Sequence, residues 1–205
     1  MNRLVMPLTH RLFFGPLCAA LALAGCQQSA PAPAEPPPLE GATIGGDFTL
    51  TGEDGDPVSW NDFAGDYRIV YFGYAFCPDI CPTDVQRAMA GLKVFETENP
   101  ELGADIQPLF ISIDPERDTP AVLREFTDNF HPRLIGLTGD VATLEEVARD
   151  FGTTFSRGET TEGGGYLMNH YGYTYLFGRE GEPIAMLPTD QGPQAVTAEL
   201  QKWVR

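Results

Sequence analysis

Two cysteines stand four positions apart in the run "FCPDICP", Cys77 and Cys81, and a proline follows each of them. Thiols at this spacing can do two kinds of chemistry. They can oxidise to a disulfide, or as thiolates they can hold a soft metal such as Cu(I), with zinc also possible. The loop such a pair closes is too short to stabilise a chain much, which weighs against a purely structural disulfide. Two sulfurs leave a metal site open, so a third ligand must come from elsewhere. The chain has three histidines. His10 lies near the N-terminus, and His131 precedes Pro132 in a loop and is expected to be structural. His170, at the end of the glycine-rich stretch "SRGETTEGGGYLMNH" (156–170), is the candidate.

The elements around these residues give the candidates their place. "RIVYFGY" (68–74) is a continuous apolar and aromatic run, the pattern of a strand buried on both faces. A helix is expected from about Pro82 to Glu98, so the cysteines fall at a strand's C-terminal edge and a helix N-terminus. The helix dipole there favours thiolate, and residues four apart share a helical face, so both sulfurs are expected on one side. Further strands are expected over 106–114, 133–139, 171–177 and 184–188, and helices from Asp118, from the Thr143/Glu146 capping-box pair and over 193–203. Residues 47–60 suggest two short strands, and 156–170 a mobile loop. Strands alternating with helices, then a hairpin and a last helix, predict an α/β domain: a central mixed sheet flanked by helices, layered as in thioredoxin. A thioredoxin would put a cis-proline at the segment facing its dithiol. This chain has no proline between Pro132 and Pro183, and His170 occupies that region.

The N-terminus reads as an export leader. Arg3 and Arg11 precede an apolar stretch from Leu12 to Gly25, shorter than the ~20 residues of a membrane-spanning helix. "LAGC" (23–26) resembles the lipobox of bacterial lipoproteins, which implies cleavage before Cys26 and its lipidation. An uncleaved anchor is the alternative. The expected organisation is therefore a leader over 1–25, a Pro/Ala-rich tether over 26–42 and the α/β domain over 43–205. The expected location is the periplasmic face of a bacterial membrane. With Cys18 in the leader and Cys26 at the lipobox, only two of the four cysteines, Cys77 and Cys81, remain for the domain. The 29 acidic residues outweigh 13 basic ones, which argues against nucleic acid or an anionic lipid surface as partner.

On "YFGYAFCPDICPTDV" (71–85), "ISIDPERDTPAVLREF" (111–126), "FHPRLIGLTGD" (130–140) and "NHYGYTYLF" (169–177), the chain resembles the Sco/SenC family of copper proteins that serve cytochrome c oxidase assembly. The resemblance implies a thioredoxin-like fold and copper, Cu(I) or Cu(II), held by Cys77, Cys81 and His170. It implies delivery of copper to the binuclear copper centre of oxidase subunit II, with another periplasmic copper chaperone as a candidate donor. The alternative is a thiol–disulfide oxidoreductase that reduces that centre's cysteines, with Cys77 and Cys81 as its redox pair. The chain is thus read as a metal carrier rather than an enzyme. Two positions depart from the family pattern. Ala75 stands where Thr is common, and Asn169 stands before the histidine where Asp is common. Neither is a carried-over ligand. Asp79 and Asp114 read as surface or turn residues, and Met168 as core packing.

Overall fold

The computed structural model describes residues 35–160 and 163–205. The leader, the lipobox at Cys26 and the tether as far as residue 34 lie outside the described residues. Among the described residues no helix is long and apolar enough to cross a membrane.

In chain order the elements are β1 (Thr49–Gly52), β2 (Pro57–Ser59), β3 (Tyr67–Gly73), α1 (Ile80–Glu98), α2 (Pro100–Ala104), β4 (Ile106–Ser112), α3 (Pro120–Thr127), β5 (Ile135–Thr138), α4 (Val141–Asp150), β6 (Phe155–Thr160), β7 (Tyr166–His170), β8 (Thr174–Phe177), β9 (Pro183–Met186) and α5 (Pro193–Trp203). A seven-stranded mixed sheet runs in the order β2-β1-β5-β4-β3-β8-β9. β3 pairs parallel to β4 and antiparallel to β8, and all seven of its residues are buried, as the continuous apolar run requires. Its one charged residue, Arg68, stacks on the Trp60 ring at 4.4 Å and donates to the Gly178 carbonyl, so a buried cation keeps partners.

Alternation along β3 assigns the two layers. Tyr71 stacks on Phe110, which meets Phe126 of α3, and the Tyr71 hydroxyl reaches Asp84 of α1. On the opposite face Phe72 meets Phe151 just beyond α4, and Phe151 joins Trp60 and Phe177 in an aromatic cluster. α1 and α5 approach closely at Gly91, where a Cβ would stand 2.7 Å from Val196. At the open edge the Leu39 N–H donates to the Ile184 carbonyl of β9 at 3.0 Å, so the chain already lies on the sheet at Leu39.

Several local expectations change. α1 starts at Ile80 rather than Pro82, and Asp79 is its N-cap residue. The cap of α3 is Thr119, whose hydroxyl accepts from the Val122 N–H, while Asp118 is fully buried. α4 is capped by Asp140, which takes both the Thr143 N–H and the Thr143 hydroxyl, so Thr143 is not free to cap. The stretch expected to be a mobile loop is instead an antiparallel hairpin, β6 with β7, in which Phe155 pairs with His170 and Arg157 with Met168. Gly158 fits its strand: a Cβ there would meet the Leu167 carbonyl oxygen at 2.9 Å. The strand expected over 171–177 begins only at Thr174. Tyr171 to Tyr173 cross from β7 to β8, and Gly172 passes so close to α1 that a Cβ would stand 2.8 Å from Ile80 and 2.9 Å from Asp84.

Candidate metal centre

The thiols of Cys77 and Cys81 and a ring nitrogen of His170 all lie within 4.8 Å of one another. Three elements bring them there. β3 ends at Gly73, and the turn after it carries Cys77. α1 carries Cys81 in its first turn, and β7 ends on His170. The two sulfurs do not share a helical face, because Cys77 lies ahead of the helix. The backbone N–H of Cys81 instead donates to Cys77 Sγ at 3.4 Å, so the Cys77 sulfur occupies the place of a capping acceptor for one of the helix's free N–H groups. Pro82 sits in the first turn, where its missing N–H costs no hydrogen bond.

Both cysteines are free thiols, Cys77 9% exposed and Cys81 0%. Burial raises the Cys81 pKa far above the ordinary thiol range, and the adjacent Cys77 adds to the shift. Hydrogen bonds from the Tyr74 backbone and the Tyr71 hydroxyl oppose it. The expectation that the helix dipole lowers this pKa therefore fails at Cys81. A terminal dipole contributes about 0.3–1 kcal/mol, whereas full burial shifts a pKa by up to ~3–5 units at 1.36 kcal/mol each. Cys81 needs a cation beside it to become a thiolate, and a bound metal supplies one.

His170 is oriented for ligation. Its Nδ1 lies 3.0 Å from the Tyr171 carbonyl, which can only accept, so Nδ1 holds the proton and Nε2 presents its lone pair. That Nε2 is 3.2 Å from Cys81 Sγ and takes its S–H in the metal-free state. Burial lowers the His170 pKa, with the Tyr171 carbonyl and Asp84 acting the other way, so the ring is neutral at pH 7, the form that binds metal. Tyr71 and Tyr74 hold it edge-on at centroid distances of 6.4 and 5.9 Å. Two soft sulfurs and one imidazole form a donor set that suits copper, and the residues present fit it.

The surroundings hold this geometry. A Cβ at Gly73 would lie 2.7 Å from Tyr71, 3.0 Å from Phe110 and 3.2 Å from Cys81 Sγ, so the absence of a side chain there makes room for the sulfur. Asp118 accepts from the Ser112 hydroxyl at 2.7 Å and from the Ala75 N–H at 3.1 Å, which fixes the backbone two residues before Cys77. Burial pushes its carboxyl up to about 6 against those hydrogen bonds. Asp118 and Gly73 escape a reading of sequence alone, because one looks like a helix cap and the other like an ordinary strand glycine. Asp114, expected at the surface or in a turn, opens the turn over 115–117 but is buried, and it accepts from the Tyr166 hydroxyl at 2.7 Å. Asp79 is exposed as expected. Met168 is half-buried against the core, and His131 is buried, bonded to Glu96 at 3.2 Å and to the Arg133 N–H.

Comparison with known proteins gives the same picture. A family model described as SCO1/SenC matches residues 36–205. An SCO2-like protein of Rickettsia felis is 33% identical over 159 residues, 77% of this chain and 76% of the relative. The human mitochondrial SCO1 homolog is 37% identical over 162 residues, 79% of this chain and 53% of the longer human protein. The copper-bound crystal structure of Arabidopsis thaliana ScoI superposes with a TM-score of 0.72 at 34% identity, covering 78% of this chain and 96% of that one. The thioredoxin-like layering, the paired thiols with their histidine and a match over the whole described domain agree: the chain belongs to the SCO1/SenC family, copper-binding proteins of cytochrome c oxidase assembly.

Proposed function

We propose that this chain is a copper metallochaperone that delivers copper to the binuclear copper centre of cytochrome c oxidase subunit II. One observation carries the reading: the neutral Nε2 of His170 faces the Cys81 sulfur at 3.2 Å, with Cys77 beside it. In disulfide exchange that imidazole would serve only to tune a thiol, whereas a copper ion held by two sulfurs uses it as a third ligand. The structure of the Arabidopsis relative with copper bound supports copper as the metal. Copper entry releases the thiol protons and offsets the cost of ionising Cys81 in a buried place. A site with three protein donors leaves a coordination position for an acceptor's cysteine, which can add before Cys77, Cys81 or His170 leaves. Phe76 and Tyr171, each 52% exposed, adjoin Cys77 and His170 in the chain and offer apolar surface to the acceptor.

Export, lipid anchoring at Cys26 and a tether that lets the domain reach its client belong to the same proposal. They are supported by the leader-like N-terminus and the proline-rich segment after it. A periplasmic copper chaperone is the proposed donor. The test is transfer. The reduced protein, loaded with one equivalent of Cu(I), is mixed with the metal-free, reduced soluble domain of subunit II, and copper is quantified in each after separation. Copper should move to the acceptor. Retention of all copper on this chain, together with rapid reduction of an oxidised acceptor by the metal-free protein, would replace delivery with thiol reduction.

A further inference from the structure

The cysteine turn and the histidine hairpin are far apart in sequence, and within the β4–α3 loop one side chain touches both. The Arg117 guanidinium lies 3.7 Å from the Tyr166 ring of β7 and donates to the Tyr166 carbonyl at 3.0 Å. The same guanidinium packs on Tyr74 and Phe76, at 5.6 and 5.4 Å from their centroids, immediately before Cys77. Asp114 fixes it from below through an ion pair with its Nε. Tyr166 is clamped further. Its hydroxyl donates to Asp114 at 2.7 Å, and Arg157 covers its other face at 3.7 Å while pairing with Glu116. β7 alternates, so Tyr166, Met168 and His170 point to one side, and fixing Tyr166 sets where His170 arrives.

We propose that Arg117 is the positioning residue of this centre: it joins the His170 hairpin to the Cys77 turn and so delivers the third ligand to the dithiol. The inference rests on the reading of His170 as a copper ligand. Lysine cannot substitute, because the role uses a planar group that stacks on Tyr166 while its fork bonds Asp114 and a carbonyl. Asp118, the next residue, reaches the Ala75 N–H on the cysteine side and the Ser112 hydroxyl of β4.

The test is a double-mutant cycle on copper affinity with His170→Ala and Arg117→Lys, each measured by competition against a Cu(I) chelator, with thermal melts of the metal-free forms as the folding control. Each single variant should lose about 10- to 100-fold in affinity, and the double variant should lose little more than His170→Ala alone. Amide exchange at 166–170 should speed up in Arg117→Lys while that of β3 and β4 stays unchanged. Tyr166→Phe, which keeps the stacked ring and loses only the hydroxyl bonds, should give a smaller loss in the same direction if Arg117→Lys proves unstable. Losses that add in the double variant, or wild-type affinity in both Arg117→Lys and Tyr166→Phe, would overturn the positioning role. Wild-type affinity in His170→Ala would instead remove the ligand reading beneath it.

Discussion

Gly73→Ala tests whether the site depends on space as well as on ligands. The added Cβ would meet Tyr71 at 2.7 Å, Phe110 at 3.0 Å and the Cys81 sulfur at 3.2 Å, all inside the core. Neither ring can yield cheaply. Tyr71 is stacked on Phe110 and its hydroxyl reaches Asp84, and Phe110 is pinned by Phe126. Overpacking of this kind costs about 1–3 kcal/mol. For a domain of this size 1 kcal/mol shifts the melting midpoint by ~2–4 °C, so the variant should melt roughly 2 to 12 °C lower. Copper affinity should fall as well, because the Cys81 sulfur is one of the three neighbours the added Cβ crowds. Gly163→Ala, where a Cβ meets nothing within 4 Å, is the control and should stay within ~0.5 kcal/mol of wild type. Thermal and urea unfolding of the metal-free forms reads the first effect, and chelator competition the second. Melting and affinity both unchanged in Gly73→Ala would refute the claim that this glycine makes room for the thiol.

Alkylation should separate the two cysteines. Cys81 is fully buried and its pKa is raised, so iodoacetamide should label Cys77 first in the reduced, metal-free protein, and peptide mapping showing Cys81 labelled first would contradict the burial described. Stability should also carry a pH signature from Asp118. Its folded pKa of about 6 exceeds the ordinary carboxyl value near 3.9, so the native state binds this proton more tightly than the unfolded chain. The stabilisation is therefore full below about pH 4 and is lost as pH rises through 6, on the order of 3 kcal/mol for this group alone. Urea unfolding between pH 4 and 7 should show that fall in wild type and a flatter curve in Asp118→Asn, and identical slopes would rule Asp118 out as its source.

The residues that converge were legible in the sequence for identifiable reasons. Cys77 and Cys81 stand out because the domain has no other cysteine, and His170 because a segment that would carry proline in a thioredoxin carries none. β3 was plain from its unbroken apolar run. The start of α1 was not, since a proline is tolerated anywhere in a first turn whose N–H groups lack partners, and Pro82 does not say which position it holds. The β6–β7 hairpin was hidden for another reason. Its strands are short, β6 is mostly polar and three glycines stand between them, and part of what orders them is distant in sequence: the Arg117 guanidinium on Tyr166 and the carboxylate of Asp114, which join Arg157 of β6. The charge state of Cys81 could not be read from a helix terminus, because burial, a property of the whole fold, outweighs the dipole.

X-ray absorption at the copper edge of the Cu(I)-loaded protein, compared with His170→Ala, tests the central claim most directly. Two sulfur donors and one imidazole nitrogen per copper are expected in wild type, from Cys77, Cys81 and His170, with the nitrogen lost in the variant while both sulfurs remain. Copper bound without sulfur, or an imidazole signal that persists in His170→Ala, would contradict the account.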